Sequence, residues 1–129
     1  MLKRGMKFRE IITDRGTMIF GGKSEGNNEE LVKQIRKEEE VFHTEAPGSP
    51  FVNIKGKARK GDIKDAAIFC AAYSKNWKKN KSDVVVHRFK GRDIYKTSDM
   101  KIGTFGVKKI KKIKIEKEEI QKFLKLWEK

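Results

Sequence analysis

Three side chains within one short stretch make up the local acid–base set of this sequence: His43, Glu45 and Ser49. An imidazole, a carboxylate and a hydroxyl can act as base, orienting group and nucleophile. The same set can also bind rather than react. A hydroxyl and backbone N–H groups meet a phosphate or a 2′-OH, and an imidazole reads or stacks a base. Cleavage of RNA usually needs two positioned protonatable groups, and the one other histidine is His87. Two histidines far apart in sequence give no metal-site spacing, and a single cysteine, Cys70, excludes an intrachain disulfide and a multi-cysteine zinc site. Neither a metal nor a cofactor is expected.

A hairpin must position this set. The runs 40–44, EVFHT, and 50–54, PFVNI, read as strands joined by a tight turn at Ala46-Pro47-Gly48-Ser49. Pro47 presets φ for the first central turn position, and Gly48 takes the positive φ of the second. His43 then stands before the turn and Ser49 after it, at one edge of the hairpin.

The composition sets wide bounds. A chain of 129 residues, 36% hydrophobic, fits one domain over 1–129 with one modest core. No apolar run approaches the roughly 20 residues of a membrane span, so no membrane insertion is expected. The first ten residues have charge but no apolar stretch, which argues against a signal peptide. One cysteine fits a reducing, cytoplasmic setting. Lysine and arginine number 32 against 18 acidic residues, a net charge of +14. That excess favours polyanions: nucleic acid first, an anionic membrane or ribosome surface next. Abundant lysine and glutamate with glutamine only at Gln34 and Gln121 also suit a thermophile's surface, though not the imbalance of sign.

Along the chain, 6–13 and 17–22 read as a strand pair about Asp14-Arg15-Gly16, with Phe8, Ile11 or Ile12, Met18 and Phe20 facing a core. Gly21-Gly22-Lys23 lacks P-loop spacing. Asn27 or Asn28 is expected to cap a helix running to about Lys37, with Leu31 and Ile35 on one side. The loop 55–61, KGKARKG, offers Lys55, Lys57, Arg59 and Lys60 to phosphates or to solvent. Asp62 is expected to cap a helix over 63–78. Its stripe of Ile63, Ala66, Ala67, Cys70, Ala71 and Ser74 is small-sided, which lets it approach a sheet closely. Cys70 in mid-stripe is a core residue rather than a nucleophile. Trp77 either stacks a base among Lys75, Lys78, Lys79 and Lys81 or covers the core edge, and the second reading is preferred. The run 82–89, SDVVVHRF, reads as a central strand buried on both faces. Gly91-Arg92 turns into a short strand at 93–97. Residues 102–107 and 108–115 read as a further strand pair. The latter carries lysines at 108, 109, 111, 112 and 114 and isoleucines at 110, 113 and 115, with a slip in period that suggests a bulge. Its basic face is an edge guard or a binding stripe. Residues 117–128 form an amphipathic helix with Ile120, Phe123, Leu124 and Trp127 on one face. The fold class is α+β: a mainly antiparallel mixed sheet packed by the central small-residue helix, with this helix at the C-terminal end.

The order of these features resembles the NFACT-R family, the RNA-binding domain of NFACT proteins, and most of all its small standalone members. The landmarks are Phe8-Arg9, Gly21-Gly22-Lys23, Asn27-Asn28-Glu29-Glu30-Leu31 and Val41-Phe42-His43 leading into Pro47-Gly48-Ser49. They continue with Ala66-Ala67, Ala71-Ala72-Tyr73-Ser74, Val84-Val85-Val86, Ile94-Tyr95-Lys96 and Gly103-Thr104-Phe105-Gly106-Val107. The resemblance implies an α+β domain that binds structured RNA, chiefly tRNA, in ribosome-associated quality control. Two departures stand out: Val41 replaces a tryptophan and Pro50 replaces a histidine.

The expected function is therefore a nucleic-acid-binding module, not an enzyme, that binds tRNA or ribosome-associated RNA. Lys23, Lys75, Lys78, Arg88 and Lys96 would meet phosphates, Gly48 and Ser49 a phosphate or 2′-OH, and His43 and Tyr73 a base. The alternatives are an RNA-processing or RNA-modifying enzyme using His43, Glu45 and Ser49, and a DNA-binding or ribosome-surface protein.

Overall fold

Alternation of apolar and polar residues along short strands gives a sheet with two distinct faces, and here both are covered. The computed structural model describes residues 2–4 and 7–127; Met6 and Glu128, the outer ends of two expected elements, lie outside them. In chain order the elements are β1 (Leu2–Arg4), β2 (Arg9–Ile12), β3 (Met18–Gly21), α1 (Glu25–Lys33), β4 (Glu40–Thr44), β5 (Val52–Ile54), α2 (Asp62–Ala72), α3 (Lys75–Asn80), β6 (Val84–Lys90), a 3-10 turn at Gly91–Asp93, β7 (Ile94–Tyr95), β8 (Gly106–Val107), β9 (Lys111–Ile115) and α4 (Lys117–Trp127). The main sheet has the order β1-β2-β3-β5-β4-β6-β9, and β7 pairs with β8 in a separate ribbon. Every described pairing is antiparallel. The α+β architecture is as expected.

One face packs under α2 and α4. Ile11, Ile19, Phe42, Val52 and Val86 meet the small side of α2, and Phe69 fills the middle. Gly21 faces that ring so closely that a Cβ would stand 2.9 Å from Phe69 Cζ. The other face carries Phe8, Leu31, Val41, Phe51 and Phe89 beneath α1 and the β7–β8 ribbon. Each such fully buried apolar side chain contributes about 1.5–3 kcal/mol relative to exposure.

The hairpin β4–β5 forms, and Gly48 has the expected positive φ of 85°. Its loop is longer than a tight turn and spans 45–51. Gly16 likewise takes φ 84° between β2 and β3. Helix α1 is capped three residues early. The Ser24 hydroxyl accepts from the Asn27 N–H in the cap, while Asn27 and Asn28 are drawn into tertiary bonds, and the helix stops at Lys33. The long helix expected over 63–78 is broken. Ser74 leaves helical geometry, donates its hydroxyl to the Ala71 carbonyl at 2.7 Å and accepts from the Trp77 N–H at 3.1 Å. Nor is Asp62 the cap of α2. Gly61 holds that position, while Asp62 accepts from the Arg59 N–H and from Arg15 Nε, each at 2.7 Å.

Strand β6 is next to the edge rather than central. Val84 and Val86 are buried, but Val85 stands opposite Lys114 and is partly exposed. Strand β9 pairs with β6, and β8 with β7, so the expected pairing of 102–107 with 108–115 does not form. No bulge interrupts β9 along its register with β6. The slip in period falls at Ile110, which precedes the strand and is exposed. In α4, Ile120 and Phe123 are buried, with Leu124 and Trp127 packed against the same core. Trp77 is buried as cover for the core edge, 4% exposed.

Beneath α1 lies a buried polar cluster. Glu39 is 2% exposed and accepts from Lys55 Nζ at 2.7 Å, the Gly56 N–H at 2.8 Å and the Arg36 N–H at 3.0 Å. Burial pushes its carboxyl up, but the two N–H groups and Lys55 outweigh this and hold it below the ordinary range. Lys55 also binds Gln34 and Asn53. It is therefore a structural cation, not an exposed loop lysine. Removing it strands a buried carboxylate, so Lys55→Ala is expected to cost about 3 kcal/mol in urea unfolding. Lys60→Ala, on the exposed part of the same loop, should stay within about 0.5 kcal/mol of the parent.

Candidate nucleic-acid interface

The β4–β5 loop is fixed from inside. Asn28, buried on α1, accepts from the Phe51 N–H at 3.1 Å and donates Nδ2 to the Ser49 carbonyl at 3.4 Å. Gly22 must be a glycine for this, since a Cβ there would lie 1.9 Å from Asn28 Oδ1. On the other side the Lys75 N–H donates to the Gly48 carbonyl at 2.8 Å. The break at Ser74 thus turns α3 so that its lysines stand over the loop.

Around the loop runs a groove of about 780 Å³, within the range of ligand pockets. It gathers Lys23, His43, Gly48, Ser49, Tyr73, Lys75 and Lys78 from the sequence-based set. Lys23, Lys75 and Lys78 make no ion pair among the described residues and have exposed side chains. His87 and the aromatic rings of Phe51, Phe89 and Phe105 complete much of the wall. The phenylalanines and the buried Asn28 carry no chemical signature in sequence; only their places within the family landmarks could have pointed to Asn28 and Phe105.

Two residues of the set stand elsewhere. Arg88 projects to the opposite face of the sheet, the side of Phe42 and Thr44, by the alternation of β6. There it forms a fork to Glu40 at 2.9 and 3.1 Å. Burial pushes Glu40 up, but Arg88 and Lys90 reverse that and hold it low. Lys96 donates to the Lys101 carbonyl at 2.5 Å and the Thr104 carbonyl at 2.8 Å, pairs with Glu29 at 3.1 Å, and lies 4.5 Å from the centre of the Phe105 ring. These contacts tie down the loop between β7 and β8.

The hydroxyl of Ser49 also has inward partners. It accepts from the Thr44 N–H at 3.0 Å and donates to the Pro50 carbonyl at 3.0 Å, and the residue is 8% exposed. These bonds make Ser49 a clamp on the loop. Tyr73 lines the groove with the Arg9 guanidinium 4.3 Å from its ring centre, and Arg9 Nη1 donates to the Gly22 carbonyl at 2.8 Å. One face of the Tyr73 ring is thereby covered.

His43 and His87 are direct cross-strand partners. His87 Nε2 lies 3.2 Å from Glu45 Oε1, which Lys112 also meets at 2.8 Å. Lys112, then His87, hold the Glu45 carboxyl below its ordinary range. His43 Nδ1 is 2.9 Å from the Thr44 carbonyl, and the ring lies 4.6 Å from that of Phe51. Burial is the main force lowering its pKa, the Thr44 carbonyl opposes it, and the nearby His87 adds to it. Among the described residues no group of three or more metal-ligating side chains is assembled, and no helix is long and apolar enough to cross a membrane.

Comparison with known proteins bears on the family and the fold. The family model described as the NFACT protein RNA binding domain matches residues 7–109. The chain is 28% identical over 110 residues to the archaeal Rqc2 homolog aRqcH of Methanocaldococcus jannaschii, covering 79% of this chain and 16% of that protein. Its structure is similar to that of the C-terminal part of the fibronectin/fibrinogen-binding protein of Streptococcus suis, with a TM-score of 0.76 and 26% identity. That match covers 93% of this chain and 49% of the other. The chain thus spans a fraction of the length of each relative.

A buried neutral imidazole makes stability depend on pH. His43 titrates below its ordinary 6.5 when folded and near it when unfolded, so the unfolded chain binds the extra proton between these values. Stability is then full above about pH 7 and falls as pH descends through 6.5 toward the lowered folded value. The Tm should decline over that window, and His43→Gln should flatten the decline until the carboxylates begin to protonate. A wild-type Tm that is level from about pH 7 to pH 5 would contradict the buried neutral ring.

Proposed function

Because the chain belongs to the family of NFACT protein RNA-binding domains, we propose that it is a non-catalytic module for structured RNA, either tRNA or ribosome-associated RNA. The observation that carries this reading is the groove itself: Lys23, Lys75 and Lys78, which make no ion pair among the described residues, stand around an aromatic wall. Ammonium groups meet phosphates, while flat rings accept an unstacked base. Backbone contacts of this kind favour shape over sequence. The likeness to an archaeal Rqc2 homolog supports a role alongside the ribosome, in quality control of translation in the cytoplasm. DNA is the competing polyanion.

Cleavage of RNA is a second reading, favoured by the register that sets His43 opposite His87. Against it, Glu45 engages His87 Nε2 and Ser49 is turned inward. Labelled tRNA incubated with the protein should therefore remain intact.

The deciding experiment is binding of tRNA and of duplex DNA of equal charge across a salt series. Preferential tRNA binding that persists as salt rises is the expected result. Lys23→Ala, Lys75→Ala and Lys78→Ala should each weaken binding and reduce the salt slope by about 1. Arg88→Ala and Lys96→Ala should leave the slope unchanged, because both are held in internal ion pairs. Equal binding of both polymers, lost together as salt rises, overturns the RNA reading.

A further inference from the structure

We propose that the interface does not end at the groove: an RNA strand leaving it lays successive phosphates along β9, on Lys112 and Lys114. The inference rests on the RNA-binding reading above and adds the path that the RNA takes. Its ground is the register of β9. Lys112 stands opposite His87, which itself stands opposite His43, and Lys114 stands opposite Val85. Cross-strand partners share a face of the sheet, so both lysines stand on the face that carries His43, His87 and the groove. Ile110, just before the strand, belongs to the groove wall. The line from Ile110 through Lys112 to Lys114 therefore starts in the groove and runs out along the edge of the sheet, where β9 is the last strand.

Spacing and charge both suit a phosphate backbone. Two residues of strand advance the chain by about 7 Å, close to the step between neighbouring phosphates of an RNA strand. Residues 108–115 carry lysines at 108, 109, 111, 112 and 114 and no acidic residue. The carboxylates that Lys112 and Lys114 meet come from outside this run: Glu45 at 2.8 Å and Asp83 at 3.9 Å. The two lysine side chains are 66% and 65% exposed, so water screens these pairs and a phosphate can take over either ammonium group. Edge lysines also discourage a foreign strand from pairing, but that duty does not select the face on which they stand. An acidic protein segment would meet the same charge without needing the groove. A strand already seated in the groove reaches β9 without leaving this face of the sheet.

The test is the salt dependence of tRNA binding in variants of β9. Lys114→Gln should reduce the salt slope by about 1. Lys112→Gln should do the same when compared in the Glu45→Gln background, where no carboxylate is left uncovered. Lys57→Gln and Lys60→Gln remove the same charge from the exposed loop that follows β5, whereas the groove loop precedes that strand. These two should leave the slope unchanged. An equal reduction in all four variants makes overall charge the cause and overturns the inference. An unchanged slope in the β9 variants, with weaker binding in Lys23→Ala, Lys75→Ala and Lys78→Ala, overturns it while leaving the RNA-binding reading intact. Poly-glutamate that binds the parent and is lost from the β9 variants, with the tRNA slope unchanged, assigns the strand to an acidic protein partner and overturns it as well. Failure to bind tRNA in preference to duplex DNA overturns the RNA-binding reading and this inference with it.

Discussion

One buried amide holds the loop on which the groove depends. Asn28 satisfies the Phe51 N–H and the Ser49 carbonyl, two backbone groups that a loop leaving a sheet would otherwise strand. An unmet buried group costs about 1–3 kcal/mol. Gly22 gives Asn28 its space, Ser49 closes the loop onto Thr44, and Gly48 brings the chain under Lys75. The loop is therefore a fixed rim, and the lysines of α3 inherit their position from it.

The positive charge has two fates. Lys55, Arg15, Arg88 and Lys90 serve Glu39, Asp62 and Glu40, all buried carboxylates. They compensate desolvation and stay with the fold. Among the described residues Lys23, Lys75 and Lys78 have no such partner, and they keep their charge at the groove. A net charge of +14 sums both kinds. The division between them needs positions that only long-range pairing supplies.

The same limit explains what was legible in the sequence. Turns governed by one residue, at Gly16 and Gly48, came out of local chemistry, as did the small stripe of α2 and the apolar face of α4. His43 and Tyr73, both among the family landmarks, line one groove with Lys75 and Lys78, although at least 30 residues separate His43 from the others. Ser74 was misplaced because its spacing fits an apolar stripe, while its hydroxyl bonds to Ala71 and Trp77 break the helix. The face that Arg88 takes is set by the register of β4 with β6, which no local pattern reveals. Strand β9 pairs with β6 rather than with its sequence neighbour, a choice made by the core through Ile113 and Ile115 and not by turn residues.

Cys70 gives this architecture a built-in clock. Its thiol is fully buried, pushed up to about 12 chiefly by desolvation, and sits 3.6 Å from the Pro50 carbonyl and 3.8 Å from the Ser49 hydroxyl. Alkylation needs a thiolate in reach of reagent, and neither condition holds while the loop is closed over α2. Each labelled molecule therefore records one excursion from the closed form. The labelling rate of a single native atom measures how often this burial is lost, by the loop lifting or by wider opening of the core, without any added probe.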